Sequence, residues 1–229
     1  MKLKKIASLM LAGVMAVSML SACGEGSGNG NGNEDENKPV ETVSNAVTYA
    51  NDLLSSDLKE YMNFTNSSTL DGWMKAIATD TDKFSATEIK KVYTSLTTLV
   101  NKASKMQGYV KDMQDKLRSN LRDSNVLLAD NDFKSVPADE KAQSQGWIYV
   151  LSGKLDEKSA VELAADDIKT WAVDSKNAPE MLDNNKYNCD YSIEISAVKV
   201  TNDSLSGESA WAIGVVINQT VTKAANVQV

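Results

Sequence analysis

YSIEISAVKV, residues 191–200, decides the fold class. Ile193, Ile195 and Ala197 alternate with Ser192, Glu194 and Ser196. A period of two puts one set of side chains on each face of a β-strand. Trp211 to Val221, AWAIGVVINQTV with its preceding alanine, is β-branched and mostly apolar and reads as a second strand. Between them lies Asn202-Asp203-Ser204-Leu205-Ser206-Gly207, a run of turn residues, so the two strands form an antiparallel pair. A lone hairpin is marginal in water. This one must pack on helices, pair with a further strand such as 147–151, or add to a partner's sheet.

Working back from the hairpin, the chain reads as helical. Glu41 to Phe64 carries Val43, Val47, Ala50, Leu54, Leu58 and Tyr61 at steps of three and four, which predicts a helix. Ser67 to Thr79 predicts a shorter one, with Leu70, Trp73, Met74 and Ile77 on one side. Ser85-Ala86-Thr87-Glu88 is a capping box. Behind it Ile89, Val92, Leu96, Leu99, Ala103, Met106, Val110, Met113 and Leu117 form a heptad seam. One long helix over about 85–123 is expected, with Gly108 its weak point. Such a seam suits a coiled-coil dimer or a helix packed within its own bundle. Ala103 and two methionines in the seam favour the bundle, and so a monomer. Pro137, with Asp139 and Glu140, predicts a helix running to Leu151 and stopping at Gly153, although 146–151 is equally strand-like. Asp156 caps a clearer helix whose face holds Ala160, Leu163, Ala164, Ile168, Trp171 and Ala172. The expectation is an α+β domain: four to five helices with a C-terminal antiparallel hairpin or small sheet. Residues 40–229 form one domain, helical over 40–176 and β-rich over 187–229.

The N-terminus has a different character. Met1 to Lys5 is basic, and Ile6 to Leu20 is an uncharged, mostly apolar run. That run is short of the roughly 20 residues a membrane span needs. A basic start, a short apolar run and small residues before a cut site make a secretory signal peptide, residues 1–22. It ends in Leu20-Ser21-Ala22-Cys23, which resembles the lipobox of bacterial lipoproteins. The resemblance covers residues 1–23 only. It implies a diacylglyceryl group on the Cys23 sulfur and cleavage between Ala22 and Cys23, hence a membrane-anchored, extracytoplasmic protein. Each buried lipid CH₂ contributes about 0.8 kcal/mol, so a multiply acylated cysteine anchors far more firmly than a single chain. Residues 23–39 are the lipidated cysteine and a tether rich in Gly, Asn and acidic residues, with no apolar surface to bury. Sixteen such residues span about 20–24 Å on average and at most roughly 55 Å. This tether resembles those of Gram-positive surface lipoproteins.

Composition narrows the chemistry. The chain has 229 residues, 24 basic and 31 acidic, no histidine and two cysteines, for a net charge of −7. Removal of residues 1–22 takes Lys2, Lys4 and Lys5 with it and leaves 21 basic against 31 acidic, net −10. That argues against nucleic acid as a partner. With Cys23 lipidated, Cys189 is the single remaining thiol, so a thiolate–imidazole zinc site and Ser-His or Cys-His nucleophile pairs cannot be built.

Other candidate sites compete with plainer readings. Asp183, Asn185, Tyr187, Cys189, Tyr191 and Glu194 occupy the ligand positions of an EF-hand frame, but Asn188 replaces the turn glycine and Tyr187 replaces an oxygen ligand. Asp183, Asn185 and Glu194 are therefore a weak calcium candidate, and no metal or other cofactor is expected. Asp130 and Asp132 read as a turn. Glu157, Glu162, Asp166 and Asp167 cluster on one predicted helix, where carboxylates are usually solvated; a wall hydrolase would need two of them across a cleft. Trp73, Trp147, Trp171 and Trp211 all sit in apolar runs and read as core. The function expected is binding of an envelope protein or cell-wall component without catalysis. A carboxylate hydrolase and a small solute-binding lipoprotein of a transporter are the alternatives.

Overall fold

Along the chain run α1 (Ala46–Asp52), β1 (Met62–Thr65), α2 (Ser68–Ala78), α3 (Ala86–Thr94), α4 (Tyr109–Asp123), β2 (Ala142–Ser152), α5 (Glu157–Lys169), β3 (Met181–Leu182), β4 (Tyr187–Thr201) and β5 (Ser209–Lys223). The computed structural model describes residues 44–80, 84–95, 108–129, 132–202 and 204–225. The class is α+β. The predicted hairpin is its spine: β4 and β5 pair antiparallel from Tyr187↔Lys223 to Thr201↔Ser209. Their turn is fixed by Asn202, whose side-chain oxygen accepts from the Ser204 N–H at 3.0 Å, and by Gly207 at φ 103°.

The hairpin is not alone. β2 pairs antiparallel with β5 over its full length, and β1 pairs parallel with β4 at Met62↔Tyr191 to Thr65↔Glu194. β3 pairs with β4 at Tyr187 and Asn188. The order is β1-β4-β5-β2. Helices cover both faces of this sheet. On one face Tyr149, Ile193, Ile213, Val215 and Ile217 pack with Ala50 of α1 and with Ala160, Ala164, Ala165 and Ile168 of α5. On the other, Ile148, Val150, Ala210, Ala212 and Val216 pack with Leu70 and Met74 of α2, Ile89 of α3, and Met113, Leu117 and Leu121 of α4. Along β5 the two faces differ in size: Ile213, Val215 and Ile217 meet the alanines of α5, and Ala210, Ala212 and Gly214 meet leucines and methionines.

Four expectations need correction. The sheet takes its outer strands, β1 and β2, from the stretch 40–176 read as helical. The helix expected over Glu41 to Phe64 is confined to α1; Leu58–Glu60 is a 3-10 turn, and Met62–Thr65 pairs on the edge of β4. The long helix over 85–123 is two helices. α3 ends at Ser95, whose backbone is extended, and the Thr94 hydroxyl donates back to the Lys90 and Lys91 carbonyls. α4 starts after Gly108, at φ 58° and ψ −138°, a conformation open to glycine. Residues 96–107 lie outside the described residues, as do Asp130 and Asp203. The helix over Pro137–Leu151 is β2 instead. Asp139 accepts from the Lys141 and Ala142 N–H groups in a turn, and the aromatic and β-branched run from Trp147 to Val150 fills the open edge of β5. The α5 face also shifts by one residue: Val161 and Ala165 are buried while Leu163 is exposed.

The caps expected at Ser85 and Asp156 form, and Ser67 adds another. Ser85 Oγ accepts from the Glu88 N–H, Ser67 Oγ from Leu70 and Asp156 Oδ1 from Ser159 at 2.7 Å. The seam residues Ile89, Val92, Val110, Met113 and Leu117 are all buried in the chain's own second core.

Each outer strand is clasped by one side-chain amide. Asn51 of α1 donates to the Phe64 carbonyl and accepts from the Phe64 N–H, each at 2.9 Å. Gln114 of α4 donates to the Gly146 carbonyl at 2.5 Å and accepts from the Ile148 N–H at 2.9 Å. A free strand edge otherwise presents unpaired backbone groups.

Gly153 ends β2, where a Cβ would overlap the Ser209 backbone carbonyl. Gly153→Ala is expected to destabilise by about 1–3 kcal/mol. Gly72→Ala, inside α2 with open space around it, is expected to stabilise by about 0.5–1 kcal/mol. Urea unfolding midpoints of the two variants test both signs; a Gly153→Ala midpoint equal to the parent's would contradict the close approach.

Candidate functional site

A concavity of about 550 Å³ lies between α2 and α4. Ligand sites are commonly concave and mostly apolar with a few polar groups. The helix spacing that buries Leu70 and Met74 leaves Trp73, Ala76 and Ile77 on the flank of α2. The α4 residues opposite are Asp112, Met113, Lys116, Ser119 and Asn120. Ile77 and Met113 form an apolar floor, and Trp73, half-buried, forms one wall. Asp80, Asp112, Asp115 and Lys116 give a mixed-charge rim. Asp115 pairs with Lys111 one turn back, which raises the lysine's pKa above its ordinary value. This groove suits a ligand with an apolar body and polar ends.

On the opposite sheet face a buried polar chain ties loops to strands. Gln219 is fully buried. Its Nε2 donates to the Tyr191 hydroxyl at 2.9 Å and to the Phe133 carbonyl at 3.1 Å. The Tyr191 hydroxyl donates to the Pro179 carbonyl at 2.8 Å. Gln143 Nε2 donates to Gln219 Oε1 at 2.7 Å and to the Ser135 carbonyl at 3.2 Å. These bonds hold the 132–137 connection and Pro179 against the sheet, a scaffold role. Burial pushes the Tyr191 phenol far above its ordinary range, with the neighbouring Cys189 adding to it. Burial also lifts the Cys189 thiol from 9.0 to about 11. Tyr109, stacked on Phe84 at 4.9 Å between ring centroids, is raised to about 12 by burial and by Glu88.

The sequence candidates fall apart as sites. Cys23 and Ala22 lie outside the described residues. Asp183, Asn184 and Asn185 all have positive φ and form the tight turn from β3 into β4. Lys186 pairs with Asp183 at 3.0 Å. Glu194 lies seven residues up β4 from Tyr187, about 23 Å at strand rise, and accepts from Asn218 Nδ2. The calcium frame is thus a hairpin turn and a strand, and does not converge. Among the described residues no group of three or more His, Cys, Asp or Glu is placed to hold a metal ion.

Two of the α5 carboxylates bond to other elements and two pair within the helix. Glu157 Oε1 accepts from Ser44 Oγ and the Asn45 N–H, which fixes the start of α1. Glu162 pairs with Lys158, Asp166 with Lys169, and Asp167 accepts from the Tyr149 hydroxyl. Trp211 is buried, with its Nε1 donating to the Leu155 carbonyl at 3.0 Å. Trp147 and Trp171 meet edge-on at 4.4 Å and are half-buried. The groove had no signature in the sequence, because Trp73 and Met113 belong to separate helices that only the fold brings together. The buried glutamine had one: Gln219 continues the inward alternation of Trp211, Ile213, Val215 and Ile217.

No protein-family model matches the chain, and no curated protein or solved structure matches it.

Cys189 is neutral in the fold. Its contribution to stability is full below the unfolded thiol's 9.0 and is lost as pH rises through about 11. The urea midpoint is expected to fall across that window, and to fall less in Cys189→Ala. Ellman's reagent should label Cys189 only on unfolding; rapid labelling of the native chain would contradict its burial.

Proposed function

We propose that this chain is a membrane-anchored extracytoplasmic lipoprotein whose folded body binds an envelope component without catalysis. The observation that carries the reading is Leu20-Ser21-Ala22-Cys23, placed after a basic start and a short apolar run, and followed by a tether that cannot fold by itself. The anchor sits on Cys23, and the tether holds the body off the bilayer. Among the described residues no helix is long and apolar enough to cross a membrane.

Two features support binding over hydrolysis. Of the α5 carboxylates, Glu157 and Asp167 tie α5 to α1 and β2, Glu162 and Asp166 pair with lysines of their own helix, and all four lie on one helix and not across a cleft from one another. The α2–α4 groove has the apolar floor and polar rim of a contact site. The net charge of −10 after leader removal favours a partner that is not itself strongly anionic.

The test has two arms. Cys23→Ala is expected to shift the chain from the membrane fraction to the soluble fraction and to abolish incorporation of labelled fatty acid; a variant that stays with the membrane overturns the anchor. Incubated with purified cell wall, the full chain is expected to co-sediment without releasing soluble fragments. Fragment release would assign a hydrolase instead.

A further inference from the structure

The chain contains two arginines among its 24 basic residues, Arg118 and Arg122. They lie one helical turn apart on α4, where residues four positions apart have Cβ atoms about 5–6 Å from each other. Both line one small pocket of about 90 Å³, against Leu128, Ala129, Gln145 and Gly146. They sit on the flank of α4 opposite the groove residues Asp112 and Lys116. The chain carries more acidic than basic residues, and most described lysine ion pairs are local. Neither arginine makes an ion pair or a side-chain hydrogen bond among the described residues.

The pocket opens at a gap in the covering of β2. Even-numbered residues of β2 turn their backbone polar groups away from β5. Ser144 exchanges bonds with the Leu127 carbonyl and the Ala129 N–H. The Gly146 carbonyl and the Ile148 N–H are taken by Gln114. The Gly146 N–H lies between these two closures and has no partner among the described residues. Gly146 also has Leu117 and Leu121 against its Cα, so α4 and its arginines are held close to this edge.

An arginine fork matches the oxygens of a carboxylate or phosphate, which a lysine point charge does not. Two forks one turn apart, beside an outward backbone N–H, make a site for a single oxyanion group. We propose that Arg118, Arg122 and the Gly146 N–H bind an oxyanion, a carboxylate or phosphate group borne by a ligand of this face. The proposal does not depend on the lipid anchor or on the α2–α4 groove.

The experiment is a titration of the ¹⁵N-labelled full chain in detergent micelles. Sodium phosphate and sodium acetate are the probes, with ionic strength held constant by chloride. The readouts are the Gly146 amide and the arginine Nε–H resonances. Saturable shifts with either probe, and none with chloride alone, are expected. Arg118→Gln or Arg122→Gln should each weaken binding at least tenfold, while Arg118→Lys should weaken it less. Stronger binding of phosphate would assign a phosphate ester, and stronger binding of acetate a carboxylate. Shifts that do not saturate, that chloride reproduces, or that persist unchanged in the double Arg118→Gln, Arg122→Gln variant would overturn the site. Both arginines lie outside the buried core, so melting temperatures close to the parent's are expected and serve as the folding control.

Discussion

β5 is buried on both faces along most of its length, and the rest of the fold follows from that. From Ser209 to Ile217 every residue is buried. Such a strand cannot lie at the surface of a two-layer protein; it needs a helical layer on each side. It also needs a partner on each edge, because its backbone groups have no water to bond. β4 supplies one edge through the hairpin, and β2 the other, with 11 paired residues. The two layers are not interchangeable. The face carrying Ala210, Ala212 and Gly214 has room for Met74, which would overlap any Cβ at Gly214. The face carrying Ile213, Val215 and Ile217 fills its space itself and accepts the alanines of α5. Exchanging the layers would leave voids on one side and overlaps on the other, and cores tolerate neither well.

The five-strand sheet has β1 and β2 as its outer strands, and each is clasped in the same way. The amide of Asn51 on β1 and that of Gln114 on β2 each present one donor and one acceptor, the pattern a neighbouring strand would offer. Both come from helices, so helix position and sheet edge are coupled. α1 is held at its start by Glu157 of α5 and toward its end by Asn51 on β1.

The sequence was readable where one physical preference acted alone. The 191–200 alternation survives because β4 has one face in each layer. Ser85 and Asp156 were readable because a cap is a local bond. The failures came where a tertiary partner outbid a local pattern. Glu41–Phe64 has helical spacing as far as Tyr61, but its last three residues gain a ladder on β4, and Phe64 a clasp from Asn51. Pro137 and Asp139 do make a turn, yet the chain beyond them completes the open edge of β5, and a ladder of that length outweighs a helix start. At its described positions, Ile89, Val92, Val110, Met113 and Leu117, the seam was a true register of buried residues, but it was a false sign of continuity, since α3 ends at the extended Ser95 and α4 starts only after Gly108. The calcium frame matched residue types without the geometry, since three consecutive positive-φ residues at Asp183–Asn185 turn the chain back into a strand.

α4 then carries three tasks on three stripes. Val110, Met113, Leu117 and Leu121 face the sheet. Asp112, Lys116 and Ser119 form one bank of the α2–α4 groove, and Arg118 and Arg122 face the β2 edge on the other side. Gln114, between the core stripe and the arginine stripe, fixes the helix to Gly146 and Ile148 and so sets the distance from the arginines to the strand. The groove and the arginine pocket therefore share a rigid wall. A ligand spanning both would meet an apolar floor and the proposed oxyanion site, separated by the width of one helix. A helix is roughly 10–12 Å across with its side chains, within the reach of an elongated ligand whose apolar body and anionic end lie at opposite ends.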